Sequence, residues 1–289
     1  MWESYLFATS VENALEILAA HKGKARLIAG GTDLFLQNQH GECPATVMVD
    51  VMRISGLNFI QERDGYIVIG AQATHAQIAA SPLIQQKASL LGIACGSVGG
   101  PQTRNAGTLV GNVINAQPAA DGAVALFALD AELEVATPGG RRWEPITRIY
   151  RGVGACSIDA CQEMVTAIRF RALTEACGCG YQRLARRKTL TLPILVVAAA
   201  IQVEGGLLRS ARIAIGPVAP TPFRASDAEA FLVGKPPDES VFAQAGELAA
   251  ANAQPRDSLL RGSREYRTAM VAVLVRRALT EALSACKGE

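Results

Sequence analysis

The sequence predicts an α+β protein in two parts, and three observations carry that reading. A short apolar run over residues 25–29 ends in Gly30-Gly31, the pattern of a buried strand that feeds a turn and then a helix. A second stretch places Gly96, Gly99, Gly100, Gly107 and Gly111 within 16 residues, which costs too much chain entropy for a generic connection. After a strand-like run at 165–170 the texture changes to three further strand-like runs followed by three helix-like ones, the order of strands packed by helices.

The elements follow in order. Thr9-x-x-Glu12 reads as a capping box, and Leu15, Ile17 and Leu18 give the apolar stripe of a first helix that ends near His21 and Gly23. Residues 47–51 form a strand that closes a small α/β unit with the run at 25–29. Gly65 marks a hairpin with its return strand at 66–69. Thr74 caps a short helix, and Ser81-Pro82 opens a longer one that reaches Cys95, with proline at the first helical position. An alanine-rich helix follows Asp121 to about Leu129. Residues 131–137 alternate as a strand, Pro138-Gly139-Gly140 turns, and Arg141-Arg142-Trp143 returns. Residues 181–186, 194–203 and 207–215 read as three strands, with Glu204-Gly205-Gly206 as a hairpin turn between the last two. Residues 221–233, 239–251 and 263–285 read as helices.

Both glycine stretches suit phosphate. In Arg26-Leu27-Ile28-Ala29-Gly30-Gly31-Thr32-Asp33-Leu34 the glycine pair keeps side chains out of a ligand's way, Thr32 offers a hydroxyl, and free N–H groups at the turn can hold a diphosphate. An ordinary strand-to-helix turn would look the same. The spacing is neither GxGxxG nor GxxxxGK[ST], so neither of those nucleotide-binding loops is supported. In the second stretch the glycines are interleaved with Pro101, Thr103, Asn105, Thr108, Asn112 and Asn115. Small hydroxyls, amides and open backbone suit a pyrophosphate and a polyol chain. Asp121 could accept from sugar hydroxyls or cap the helix that follows it.

Composition narrows the function classes. The net charge of +2 argues against a nucleic-acid binder, and the one dense basic run is 183–188. Met1-Trp2-Glu3 begins neither a basic n-region nor a long apolar stretch, so the chain reads as cytoplasmic. Residues 190–203 are apolar but short and contain Pro193, which does not make a membrane span. The seven cysteines read as reduced thiols. Cys156, Cys161, Cys177 and Cys179 have spacings that match no standard zinc or ferredoxin pattern. With histidines only at 21, 40 and 75, no nucleophilic triad can be built, and His75 reads as structural.

Ala29-Gly30-Gly31-Thr32-Asp33-Leu34, the run Pro101-Gln102-Thr103-Arg104-Asn105-Ala106-Gly107-Thr108-Leu109-Val110-Gly111-Asn112, and Asn115-Ala116-Gln117-Pro118-Ala119-Ala120-Asp121 together resemble the FAD-binding (medium) subunit of molybdenum hydroxylases, the xanthine dehydrogenase and carbon monoxide dehydrogenase type. The resemblance covers essentially the whole chain. One departure is Val110, where the family usually has the first residue of a Gly-Gly pair. The chain also lacks the cysteine-rich insert that one branch, the hydroxybenzoyl-CoA reductases, carries after the second motif.

The resemblance implies a two-part FAD-binding domain of the PCMH (vanillyl-alcohol-oxidase-like) type over 1–173, with subdomains 1–55 and 56–173, and a smaller α+β domain over 174–289 with a three-stranded sheet plus helices. It implies FAD on this chain, with Ala29, Gly30, Gly31, Thr32 and Asp33 on one side and Thr108, Leu109, Val110, Gly111 and Asn112 on the other around the diphosphate and ribityl chain. Val98 and Gly99 would line the ring or adenine side, and Asp121 would bind a hydroxyl. Arg26, Leu27, Ile28, Leu34, Thr103, Gly107, Ile114, Asn115, Met164 and Arg183 complete the implied site. Molybdopterin is implied on a large partner subunit and [2Fe–2S] clusters on a small one, with electrons leaving to NAD+ or another acceptor. The competing readings are a free-standing FAD oxidase or reductase of the same fold superfamily and a non-catalytic scaffold that has kept the loops.

Overall fold

A computed structural model describes residues 2–286. The chain opens with β1 (Ser4–Phe7), α1 (Val11–Ala20), β2 (Ala25–Ile28), α2 (Leu34–Gln39) and β3 (Val47–Asp50). The three strands form a parallel sheet in the order β1-β3-β2. Parallel strands need crossovers, and α1 supplies the one from β1 to β2, on either side of β3, by burying Val11, Ala14, Leu15 and Leu18 in the cluster under the sheet. Its cap is Ser10 rather than Thr9: the Ser10 hydroxyl accepts from the Asn13 amide at 3.0 Å, while Thr9 donates to the Asn13 side chain.

The middle of the chain begins with the hairpin β4 (Ile60–Arg63) and β5 (Tyr66–Gly70) and passes into α3 (His75–Ala80), capped by Thr74 in a full capping box. The helix expected from Ser81 to Cys95 is two helices, α4 (Pro82–Lys87) and α5 (Ser89–Gly96). The break is at Ala88, whose φ of −163° leaves the helical region. The glycine-rich stretch is not open loop throughout: α6 (Pro101–Ala106) and α7 (Leu109–Ile114) occupy most of it, started by Pro101 and by the Thr108 side chain. Next come α8 (Asp121–Ala128), which is fully buried, and the hairpin β6 (Glu132–Thr137) and β7 (Gly140–Pro145). A small ribbon of β8 (Tyr150–Gly152) and β9 (Ala155–Cys156) precedes β10 (Met164–Arg171). The five longer strands form an antiparallel sheet in the order β4-β5-β10-β6-β7.

The remaining strands are β11 (Cys177–Leu184), β12 (Leu195–Glu204), β13 (Leu207–Gly216) and β14 (Phe223–Arg224), followed by α9 (Ser226–Leu232), α10 (Glu239–Asn252) and α11 (Arg264–Ala285). The sheet therefore has four strands, not three. The helix expected at 221–233 gives up its first turn to β14, which pairs with Ala214 and Ile215 of β13. The turn between β12 and β13 is a two-residue loop with Gly205 and Gly206 at φ +57° and +73°.

Alternation along β12 sends its residues into two different cores. Val196, Ala198 and Ala200 join the large cluster around α5 and α8, whereas Leu195, Val197, Ala199 and Ile201 join the cluster under α10 and α11. The sheet is thus a layer with helices on both faces. On one face α11 lies very close to β11. A methyl group on Gly178 or Gly180 would come within 1.9 and 2.1 Å of the Ala282 and Ala278 carbonyl oxygens. At the other face, Arg224 joins the layer to α8: it donates to the Phe127 carbonyl and pairs with Asp130 and Glu229.

This contact between β11 and α11 fixes the strand that delivers Tyr181 and Arg183. Gly180→Ala is accordingly expected to destabilise the protein by about 1–3 kcal/mol through overpacking against helix backbone. A thermal-unfolding comparison with wild type checks it, and an unchanged midpoint would contradict the close contact.

Candidate functional site

The two glycine stretches meet backbone to backbone. A Cβ on Gly30 would lie 1.9 Å from the Ala106 carbonyl oxygen and 2.9 Å from the Gly107 nitrogen, so only glycine allows this approach. Gly31 has φ +67° and turns the chain from β2 into α2. A second link joins the same two segments: Gln37 of α2 donates to the Asn115 side-chain oxygen at 2.9 Å. Thr32 completes the seam, its hydroxyl oxygen lying 3.4 Å from where a Cβ on Gly107 would stand.

At this junction a row of backbone donors is left over. Among the described residues, the amides of Gly30, Gly31, Thr32, Asp33 and Leu34 donate to no protein acceptor, nor do those of Thr108 and Val110. The Asn112 side-chain oxygen is buried without a donor. Converging free N–H groups beside side-chain-poor backbone are what an anionic diphosphate requires. These residues fit the dinucleotide that the sequence implies.

The second stretch is held from below. The Gly107 carbonyl accepts from the His75 amide at 3.0 Å and the Leu109 amide donates to Ala73 at 3.2 Å, an antiparallel bridge between Thr74 and Thr108. His75 is 2% exposed and lies between Gly107 and Gly122, with its Nδ1 unpartnered. Burial, assisted by the charge of Arg104, pulls its imidazole down to about 4, so it is neutral at neutral pH and acts as a buttress.

Asp121 is not the helix cap. Ala120 occupies that position, and Asp121 is the first helical residue. Its Oδ1 accepts from Tyr181 Oη and from Arg183 Nε, both at 2.8 Å, and among the described residues no other side chain donates to the carboxylate. Burial raises its carboxyl above the ordinary range, while Arg183 and Tyr181 pull it back. Burial also pushes the Tyr181 phenol well up, keeping it a hydrogen-bond donor. A buried charge pair of this kind costs about 3–5 kcal/mol when one partner is removed.

The structure gathers most of the implied residues, though not in one role. Arg26, Leu27 and Ile28 are strand residues; Arg26 donates to the Gly23 and Ala25 carbonyls and to Cys161 Sγ. Met164 is 2% exposed, in the apolar cluster on which Leu27 and Ala29 rest, so it supports the first loop from beneath. Val98 and Gly99 offer their carbonyls to Arg104, and Thr103 packs against Gly99. Ile114 is 37% exposed on the outer face of α7. The sequence reading missed Gln37, Tyr181 and Leu190. The Leu190 amide donates to Gly99 at 3.4 Å, which brings the loop after β11 over the glycine-rich segment. None carries a motif; Tyr181 could have been found from its place two residues before Arg183 on one strand face. The cysteines are free, and no group of three or more His, Cys, Asp or Glu among the described residues could hold a metal.

Free amides at the junction of two glycine turns are the arrangement that a dinucleotide-binding protein needs. Residues 2–170 match the family described as the FAD binding domain in molybdopterin dehydrogenase, and residues 181–282 match the CO dehydrogenase flavoprotein C-terminal domain. The chain is 30% identical over 288 residues to the xanthine dehydrogenase FAD-binding subunit of Escherichia coli O157:H7, covering 99% of this chain and 98% of that protein. It is 30% identical to the carbon monoxide dehydrogenase medium chain of Hydrogenophaga pseudoflava, covering 96% of each. The solved carbon monoxide dehydrogenase of Hydrogenophaga pseudoflava superposes with a TM-score of 0.94 at 30% identity over 99% of both chains. Quinoline 2-oxidoreductase from Pseudomonas putida 86 gives 0.90 at 28% identity over 99% of this chain and 98% of that one. The chain belongs to the family of FAD-binding subunits of molybdenum hydroxylases and is an oxidoreductase subunit that carries an FAD-binding domain.

Two outcomes follow. Gly30→Ala is expected to force the two turns apart, abolish FAD uptake and lower stability by about 1–3 kcal/mol, read by absorbance after reconstitution and by urea unfolding. For His75, the unfolded chain takes up a proton near the ordinary 6.5 while the folded chain resists until about 4. Its contribution is whole above pH 6.5 and is lost as pH falls toward 4. Wild type should lose roughly 2–3 kcal/mol between about pH 7.5 and 4.5 from this group, and His75→Gln should show a correspondingly flatter profile in urea titrations.

Proposed function

We propose that this chain is the electron-transferring FAD subunit of a heterotrimeric molybdenum hydroxylase in the cytoplasm. Its partners would be a large molybdopterin-binding subunit and a small subunit with [2Fe–2S] clusters. When bound, FAD supplies the redox chemistry, accepting electrons from those clusters and yielding them to NAD+ or another acceptor. The contact of Gly30 with Ala106 and Gly107 carries the reading, because it creates the amide row and has no purpose in an ordinary turn.

Each part of the chain has a task in this scheme. The amides of Gly30, Gly31, Thr32, Asp33 and Leu34 hold the diphosphate from one side, and those of Thr108 and Val110 from the other. Asn112 Oδ1, which lacks a protein donor, and the Asp121 carboxylate accept from hydroxyls of the ribityl chain. Arg183, fixed by Asp121 and by the Thr191 carbonyl, sets guanidinium N–H groups at one edge of the site, where they would donate to the bound group. Val98 and Gly99 would line the ring or adenine side of the site. Arg26, Leu27, Ile28 and Met164 keep the first turn in place. Gly107, Leu109 and Gly111, with Thr103, Ile114 and Asn115, do the same for the second.

Purification from the native source decides between this reading and a self-sufficient flavin enzyme. We expect stoichiometric FAD on this chain, two co-purifying chains, and molybdenum and iron in the complex. Full turnover by the isolated chain, with no partner and no metal, would sink the proposal.

A further inference from the structure

Arg267 is a buried cation that no carboxylate meets. It lies in the first turn of α11, is 3% exposed, and among the described residues forms no ion pair. Burial, and then the charges of Arg261 and Arg256, hold its pKa below the ordinary value. Its partners are two backbone carbonyls. Nη1 donates to Arg256 at 2.9 Å and Nη2 to Pro217, while Nε is buried without an acceptor. A buried charge that is only partly satisfied is costly, and an apolar side chain of similar volume would fill the space at less expense. Stability is a poor reason for an arginine here; the geometry it imposes is a better one.

The Pro217 carbonyl is the informative contact. Pro217 follows Gly216, the last residue of β13, and a Cβ on Gly216 would stand 2.5 Å from the Pro118 carbonyl oxygen and 2.8 Å from Val124. The end of β13 therefore rests backbone on backbone against the segment that enters α8. Pro118 is buried, and the Ala120 amide donates to Gln117 at 3.1 Å in the turn that leads into Asp121. The Arg256 carbonyl belongs to the connection between α10 and α11. That connection is tied to the same place by the Gln254 amide, which donates to Val218 at 3.0 Å. One planar guanidinium thus spans two loops and fixes where Gly216 meets Pro118. From the other direction Tyr181 and Arg183 of β11 reach Asp121 directly. Two strands of the C-terminal sheet therefore converge on Asp121, β11 by side chains and β13 by backbone.

We propose that Arg267 is a positioning residue for the FAD site, holding the entry to α8, and with it Asp121, through Pro217, Gly216 and Pro118. The inference rests on the function proposed above and adds to it a residue outside the site.

The test is dilution of the FAD-loaded full chain, with released flavin read by fluorescence, in R267M, R267K and F242L, each checked for folding by circular dichroism. Phe242 is 1% exposed in the core cluster under α10 and α11, so Phe242→Leu removes stability from the same domain without removing a bond to either carbonyl. R267M should weaken FAD binding by roughly tenfold. R267K should weaken it by a smaller, measurable factor, because an ammonium does not span both carbonyls as the fork does. F242L should lower the unfolding midpoint and leave FAD affinity at the wild-type value. The loss in R267M should shrink in a D121N background, since it acts through Asp121. Wild-type FAD affinity in R267M or R267K, an equal loss in F242L, or fully additive losses in R267M/D121N would each overturn the inference; R267K decides alone if R267M fails to fold. A wild-type chain that takes up no FAD defeats the function itself, whereas wild-type uptake with unaltered affinity in R267K defeats this inference alone.

Discussion

The approach of Gly30 to the peptide between Ala106 and Gly107 is the constraint on which the rest of the architecture turns. It leaves no room for a side chain, and it joins the turn after β2 of the parallel sheet to the turn between α6 and α7. β2 must be held in the parallel sheet for Gly30 to stand where it does, and the Thr74–Thr108 bridge must form for Gly107 to meet it. Each stretch alone is a common turn. Brought together, they leave a set of amides with no internal partner, free to donate to a diphosphate. Ligand binding and the docking of the two halves are therefore linked, and cofactor should raise the stability of the whole chain by mass action.

The third part of the chain is tied to this junction by charge. Asp121 at the start of a wholly buried helix would be costly alone; Tyr181 and Arg183 reach it from β11, so the carboxylate is satisfied only when the C-terminal sheet is in place. Gly178 and Gly180 on the same strand let α11 lie against it and set its position. The seam at Arg224, Asp130 and Glu229 holds the far side of that sheet to α8. The open side of this assembly is the loop after β11, where exposed residues include Leu190 and Leu192.

Much of this was legible because the signals were local. The strands at 25–28, 47–50 and 66–70, the Gly205–Gly206 hairpin and the Thr74 cap each carry a short-range pattern with one structural solution. The misreadings were of two kinds. In the glycine-rich stretch the helix-start signals Pro101 and Thr108 were present, but five glycines outweighed them, since the tertiary packing that stabilises two six-residue helices leaves no periodic trace. At Ala88 and at Phe223–Arg224 the sequence has no breaker or clear strand pattern, and neighbours decide: α5 turns to pack on α8, and β14 takes the free edge of β13. The partners Tyr181 and Gln37 lie beyond sequence reach because each contact spans at least 60 residues.

Val110 shows how the structure sorts glycines that are needed from those that are not. The resemblance implies a glycine there, yet in this chain the position is helical, without positive φ, and 5% exposed within the main core. A β-branched residue there loses little backbone freedom that the helix had not already taken, and it gains apolar contact. Its amide is still free to meet a ligand, since an amide does not depend on the side chain it belongs to. The next residue differs. A Cβ on Gly111 would stand 3.1 Å from Thr108 Oγ1, the atom that receives the Gly111 amide and starts α7. A side chain there would crowd the cap that aims the helix, so the departure is tolerated at 110 and would not be one residue later.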